Sequence, residues 1–414
     1  MKQQDELFLQ ALAAALKHEK TAWETAFPAQ DWLGLFECAE KHHVLPMIYE
    51  AVYDCPAARE LDPAFLLPFK RRTIQQVTLQ AIKTGAFLQL YAHLQKAGIR
   101  PLVVKGIVCR ALYPDPDARV SGDEDVWVQP EQFSACHEAL LTFGMQPAEP
   151  EKDIETAYEV AYGKPGSPLY IELHKSLFPP DSEAYGDLNR FFAGAHDRAA
   201  VVSVQGAAVS TLNSTDHLFY LICHAFKHFL HSGFGIRQVC DIALFANAYG
   251  DGIDWPRLLA QCTEIHAEKF TAALFHIGEK YLGFSPEKAC LPPQWTEIAV
   301  DETALLEDLL SGGVYGAADR NRLHSSTITL NAVAAQKQGG KAKRNVLKTV
   351  FPSAKALSGR YPYLKKYPFL LPAAWGDRLL KYRKETAAGN GAAESIRIGS
   401  QRIELMKQYG ILKK

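Results

Sequence analysis

Residues 101–128, PLVVKGIVCRALYPDPDARVSGDEDVWV, constrain the fold more than any other stretch of the chain. Upstream of them apolar residues recur at helical spacing in three pieces, residues 7–17, 32–53 and 65–97. At residues 99–104 the period changes. A short apolar run with adjacent valines ends at Lys105-Gly106 and predicts a buried strand. A helix over 106–113 follows, Pro114 and Pro116 stop it, and the chain returns in a second strand over 123–128. Strand, glycine turn, helix and returning strand commit this part of the molecule to a small sheet covered by helices.

The rest of the pattern extends that sheet and surrounds it. Residues 130–143 carry helical apolar spacing, and 156–162 alternate loosely. Residues 167–173 predict another strand, with Ile171 and Leu173 on one face and Glu172 and His174 on the other. A further strand is expected over 201–211. Asn213-Ser214-Thr215-Asp216 then supplies N-cap chemistry for a long helix beginning near His217. Helices over 234–249, 255–283 and 303–310 follow, with a break at Gly312-Gly313, and the polar, Gly/Lys-rich residues 336–344 predict a mobile loop. The fold class is α+β: a small mixed β-sheet core embedded between N-terminal and C-terminal helical regions. The expected divisions are 1–95, 96–212, 213–320 and 321–414.

With 414 residues, 48% of them apolar, the chain can bury a sizeable core. Its formal charge of -1 gives no global reason to bind nucleic acid or a membrane, but from Gln336 onward 18 Lys/Arg face four acids. In that basic region the aromatics of residues 361–372 interleave with cations, a pattern that can stack bases. Anchoring of the tail to the acidic remainder is the favoured reading, and nucleic acid is not. The eight cysteines are scattered without a C-x-x-C pair and predict buried thiols. The first 20 residues read as an amphipathic helix with acids, unlike a signal peptide, and no apolar run reaches a membrane-spanning length, so a cytoplasmic location is expected.

Chemistry concentrates in three acids. On an extended strand Asp123 and Asp125 project together while Glu124 points the other way. Two carboxylates on one face suit Mg²⁺, which prefers oxygen ligands and keeps room for substrate phosphates. Glu172 on a neighbouring strand adds a third, enough for a pair of metals about 3.5–4 Å apart. A second pattern is the stripe His217, His224, His228 and His231, which falls within an arc of roughly 60° on one helix. His224 and His228 are spaced for one zinc ion, but Ala225 stands where H-E-x-x-H needs its glutamate. The alternatives for the stripe are imidazoles lining a cleft wall and metal ligands.

The combination of Lys105-Gly106, Tyr113-Pro114, Arg119, Gly122-Asp123-x-Asp125, the Ile171-Glu172-Leu173-His174 strand and the segment from His224 to Asp241 resembles the DNA polymerase beta-type nucleotidyltransferase superfamily, and within it a family of uncharacterised nucleotidyltransferases. The resemblance implies that Asp123 and Asp125 bind metal and nucleoside triphosphate, and that Glu172 binds metal or activates an acceptor hydroxyl. It implies Mg²⁺, with Mn²⁺ able to replace it, an NTP donor, and an acceptor left open among small molecules, peptides and RNA ends. Gly106 matches the glycine of the phosphate-binding turn, and Gly122 precedes the acid pair. Superfamily members usually place Gly or Ser after the turn glycine, whereas this chain has Ile107. Phosphate contact then falls to backbone N–H groups at the helix start and to Lys105 or Arg119. His174, His224, His228, Arg237 and Asp241 are expected to face the cleft. Two rival readings stand beside this one: a transition-metal phosphohydrolase with His224, His228 and Asp241 as ligands, and a non-catalytic nucleotide-binding adaptor.

Overall fold

The computed structural model describes residues 2–25, 27–314, 320–339, 351, 353–357, 361, 363–385 and 391–413. Five helices lead in: α1 (Gln3–Leu16), α2 (Ala29–Lys41), α3 (Leu45–Val52), α4 (Pro56–Arg59) and the long α5 (Pro63–Lys96). The expected continuous helix over 32–53 is α2 and α3, separated where His43 turns to φ 56. Asp62 caps α5 by accepting from the Ala64 N–H, with Pro63 at its first position.

The sheet follows: β1 (Leu102–Val104), α6 (Gly106–Arg110), β2 (Glu124–Trp127), α7 (Phe133–Thr142), β3 (Gln146–Pro147), β4 (Glu159–Gly163) and β5 (Tyr170–His174). Its strand order is β1-β2-β5-β4-β3, with β2 and β5 parallel and every other pair antiparallel, so the sheet is mixed as expected. One face buries Val103, Val126, Val160, Tyr162, Ile171 and Leu173 against Phe87, Leu90 and Leu94 of α5 and Cys136 and Leu140 of α7. The single strand expected over 201–211 is a hairpin, β6 (Ala200–Val204) and β7 (Ala207–Thr211). Its turn residues Gln205 (φ 49) and Gly206 (φ 82) both take the positive φ that a tight hairpin needs.

Beyond it come α8 (Ser214–His231), α9 (Ile236–Tyr249), α10 (Trp255–Glu264), α11 (Glu268–Tyr281), α12 (Pro293–Thr296), α13 (Thr303–Gly312) and α14 (Arg320–Lys337). Leu218, Ile222, Ala225, Phe229 and Leu230 are among many buried side chains of α8, which makes it a core helix rather than a surface one. The helix expected over 255–283 divides into α10 and α11, with His266 at φ 57 between them. Helices before and after the sheet share one apolar core, since residues of α1, α2 and α3 cluster with those of α8, α9, α11 and α13. Among the described residues no helix is long and apolar enough to cross a membrane. Seven of the eight free cysteines are buried, and Cys290 is exposed.

Of the loop expected over 336–344, residues 336–337 end α14 and 338–339 form a turn, while 340–344 lie outside the described residues. The described residues of the basic tail divide: Tyr361, Leu364 and Ala374 form a small cluster of their own and Phe369 is 74% exposed, whereas Ile403, Met406, Tyr409, Ile411 and Leu412 join the main core.

Candidate active site

The parallel pairing of β2 and β5 builds the centre of the site. Its register sets Asp125 opposite Glu172 and Trp127 opposite His174. Because Ile171 and Leu173 enter the core, Glu172 and His174 emerge on the other face, beside Asp125. One ligand atom from each of Asp125, Glu172 and His174 lies within 4.8 Å of the other two. His174 Nε2 stands 3.2 Å from Asp125 Oδ1 and 3.7 Å from Glu172 Oε2. Its Nδ1 is 3.6 Å from Glu159 of the adjacent strand. Asp123 precedes β2 rather than lying within it; it lines the same cleft but stands outside the converging group.

Charge divides the two facing carboxyls. Burial alone would raise Asp125, but the Lys105 ammonium at 2.9 Å and the hydrogen bond from His174 hold it well below the usual carboxylate range. Burial and then the neighbouring Asp125 and Asp123 charges push Glu172 up to about 7. Two carboxyls driven apart in this way are suited to different roles.

Lys105 follows β1, whose Val104 pairs with Asp125. Its backbone, at φ 46 and ψ -122, is one that side-chain-bearing residues avoid at a cost of about 1–3 kcal/mol. Gly106 continues the turn at φ 35, and a Cβ there would come within 2.0 Å of Glu124 Oε2. Of the backbone N–H groups at this helix start, expected to meet phosphate, that of Ile107 is taken: it donates to Glu124 Oε2 at 2.7 Å. Glu124, with no exposed surface, also pairs with Arg110 and accepts from Ser121 Oγ at 3.1 Å. Lys83 stands 3.8 Å from it and donates to the Ser121 carbonyl at 3.1 Å.

Helices α8 and α9 close the cleft, which Lys105, Asp123, Asp125, His224, Arg237 and Asp241 help to line. The Gly235 N–H donates to Gln238 Oε1, turning the amide nitrogen toward His224 Nδ1 at 2.9 Å. His224 Nε2 stands 3.2 Å from the Lys105 ammonium, which can only donate, and 3.2 Å from His228 Nε2. Burial first, then the Lys105 charge, keeps His224 well below the usual histidine range.

Arg119 is tied to neither Asp115 nor Asp117. It grips Asp241 through Nε at 2.9 Å and Nη2 at 2.5 Å, and the Tyr113 hydroxyl donates to the same carboxylate at 2.7 Å. Arg119 is thus neutralised where phosphate contact was expected. The same pairing corrects the ligand set His224, His228 and Asp241. Asp241 is occupied, and among the described residues Asp125, Glu172 and His174 alone converge for a metal. Arg237 turns away from Asp241 to donate to the Val120 carbonyl. The stripe divides as well, since His217 sits beneath β1 and His231 contacts Ser232.

A family model described as uncharacterised nucleotidyltransferase matches residues 28–283. The chain belongs to that family. No curated protein and no solved structure matches it. The matched part of the chain runs from the start of α2 past the end of α11, and so includes the sheet and both helices of the cleft wall.

Two carboxylates and an imidazole converging beside a lysine ammonium fit a divalent cation. Oxygen donors suit Mg²⁺ and Mn²⁺, and the imidazole favours the latter. Sequence reasoning missed three residues of the candidate site. Glu124 had a legible signal, a carboxylate at an inward position of an apolar strand, which demands a buried cation such as Arg110. Glu159 and Gln238 had none, because their importance comes from strand pairing and helix docking.

Proposed function

We propose that the cleft binds a nucleoside triphosphate with Mg²⁺ or Mn²⁺ and transfers NMP to a hydroxyl of an acceptor, releasing pyrophosphate. The observation that carries this reading is the β2–β5 register, which sets Asp125 opposite Glu172 and brings His174 to the same point. Asp125, Glu172 and His174 would hold the cation, with Asp123 facing them from the preceding loop. When bound, the cation supplies Lewis-acid polarisation of phosphate oxygens. Lys105 and Arg237 contribute positive charge toward the triphosphate from opposite walls of the cleft.

The acceptor oxygen forms a bond to the α-phosphorus as the bond from that phosphorus to pyrophosphate breaks. Glu172, beside the cation, takes the proton that the hydroxyl loses. A cytoplasmic setting, where thiols stay reduced, suits the free cysteines. The acceptor is a small molecule, a peptide or an RNA end.

Incubating the full chain with each labelled NTP, Mg²⁺ or Mn²⁺ and a cell extract tests the reading. Label should appear on one acceptor class with the wild type and vanish with Asp125→Asn. A second reading, a nucleotide-binding protein without turnover, is favoured by the occupied Ile107 N–H. It would be upheld if Asp125→Asn kept full cellular function.

A further inference from the structure

The Lys105–Gly106 turn combines two positive φ angles, 46 and 35, with a lysine in a conformation natural only to glycine. Such strain persists where the surroundings over-determine it. Two buried groups grip this turn from opposite sides. On one side the Lys105 N–H donates to His217 Nε2 at 3.1 Å. The groups behind the ring fix its tautomer. Thr211 Oγ1 donates to the Val103 carbonyl at 2.6 Å, so it accepts from His217 Nδ1–H at 3.1 Å and leaves Nε2 bare. Burial lowers the His217 pKa to about 3, which keeps the ring a neutral acceptor.

On the other side the Ile107 N–H donates to Glu124 Oε2, the same oxygen that excludes any Cβ at position 106. Turn and carboxylate are built against each other. Glu124 is in turn anchored by Arg110, whose Nη1 donates to Thr84 of α5 at 3.1 Å. Neither Glu124 nor His217 has exposed surface, and neither lines the cleft. Both reach the turn by a direct hydrogen bond; Glu124 also accepts from Ser121 and precedes Asp125 on β2.

We propose that Glu124 and His217 are positioning residues that hold the Lys105–Gly106 turn in its strained form and thereby aim the Lys105 ammonium at Asp125 and at the triphosphate. The second half of this statement rests on the nucleotidyl-transfer reading; the first does not.

The full-length chain tests it with two pairs of variants. His217→Phe removes the acceptor, while His217→Gln places an amide oxygen near the position of Nε2. Glu124→Asp keeps the charge that Arg110 needs but withdraws the oxygen from the Ile107 N–H, and serves if His217→Phe fails to fold. Amide hydrogen exchange of peptides covering 102–110 reads the grip, and kcat and KM for NTP read its consequence. His217→Phe and Glu124→Asp should each speed exchange there by tenfold or more and lower kcat/KM by tenfold or more, and His217→Gln should restore most of both. Unchanged exchange in the folded variants would overturn the grip. Faster exchange with unchanged kcat and KM would overturn the positioning role. A wild type that transfers no nucleotide would defeat the functional reading alone, because exchange still decides the first half.

Discussion

Asp241 shows how one buried side chain organises a wall of the cleft. Its carboxylate accepts from Tyr113 and twice from Arg119, and Asp241 and Arg119 are only 4% and 3% exposed. Replacing Asp241 by Asn leaves a guanidinium buried without its counter-charge, a change that typically costs about 3–5 kcal/mol. Urea unfolding should show that loss, and the double variant Arg119→Met with Asp241→Leu should recover part of it. The sequence made some of this scale legible. Lys105, Asp125 and Glu172 were readable because strand alternation and a glycine turn place them by local rules alone. The Arg119–Asp241 pair was not, because the two residues are 122 positions apart and meet only when α9 docks on the sheet. Local acids at Asp115 and Asp117 offered Arg119 equally plausible partners.

At the scale of elements, helix starts were legible and helix breaks were not. Asn213 ends the loop before α8, its side chain accepting from the Asp216 N–H at 3.0 Å, as the Asn-Ser-Thr-Asp run predicts. Asn213→Ala should cost about 1 kcal/mol, seen as a lower thermal midpoint, and Asn213→Asp should also lower it, because the Asn213 amide donates to the buried Asp216 carboxylate at 2.7 Å. The break at His266 carries no Gly or Pro, and the apolar spacing on either side continues as if one helix ran through; at His43 the signal was Pro46 in the first turn of α3, which the apolar spacing over 32–53 outweighed. The hairpin turn at Gln205-Gly206 did contain a glycine, but a continuous run of β-formers around it outweighed that signal. The register of β2 against β5, which assembles the site, depends on a parallel pairing across 47 positions and has no local signature.

For the whole molecule, His42 ties three helices together at the end of α2. Its Nδ1 accepts from the Ile236 N–H at the start of α9 at 3.2 Å, and its Nε2–H donates to the Leu310 carbonyl of α13 at 3.4 Å. Burial lowers its pKa from the model-peptide 6.5 to about 4. The folded protein therefore holds fewer protons on this ring than the unfolded chain between those values. Its stabilising contribution is fully present above pH 6.5 and is lost as pH falls toward 4, by about 3 kcal/mol in all. Denaturant unfolding from pH 7 to pH 4 should show this acid limb, and His42→Gln should make it shallower by up to one proton. A limb of unchanged slope in that variant would place the acid sensitivity elsewhere.

The central claim is that the Asp125, Glu172 and His174 cluster serves nucleotidyl transfer. Its most direct test compares NTP labelled at the α-phosphate with NTP labelled at the γ-phosphate, in the presence of Mg²⁺ and an acceptor extract. With α-label the wild type should mark the acceptor and release unlabelled pyrophosphate, with γ-label it should mark pyrophosphate alone, and Asp125→Asn should do neither. Transfer of the γ-label to an acceptor, or equal α-label transfer by Asp125→Asn, would contradict the account.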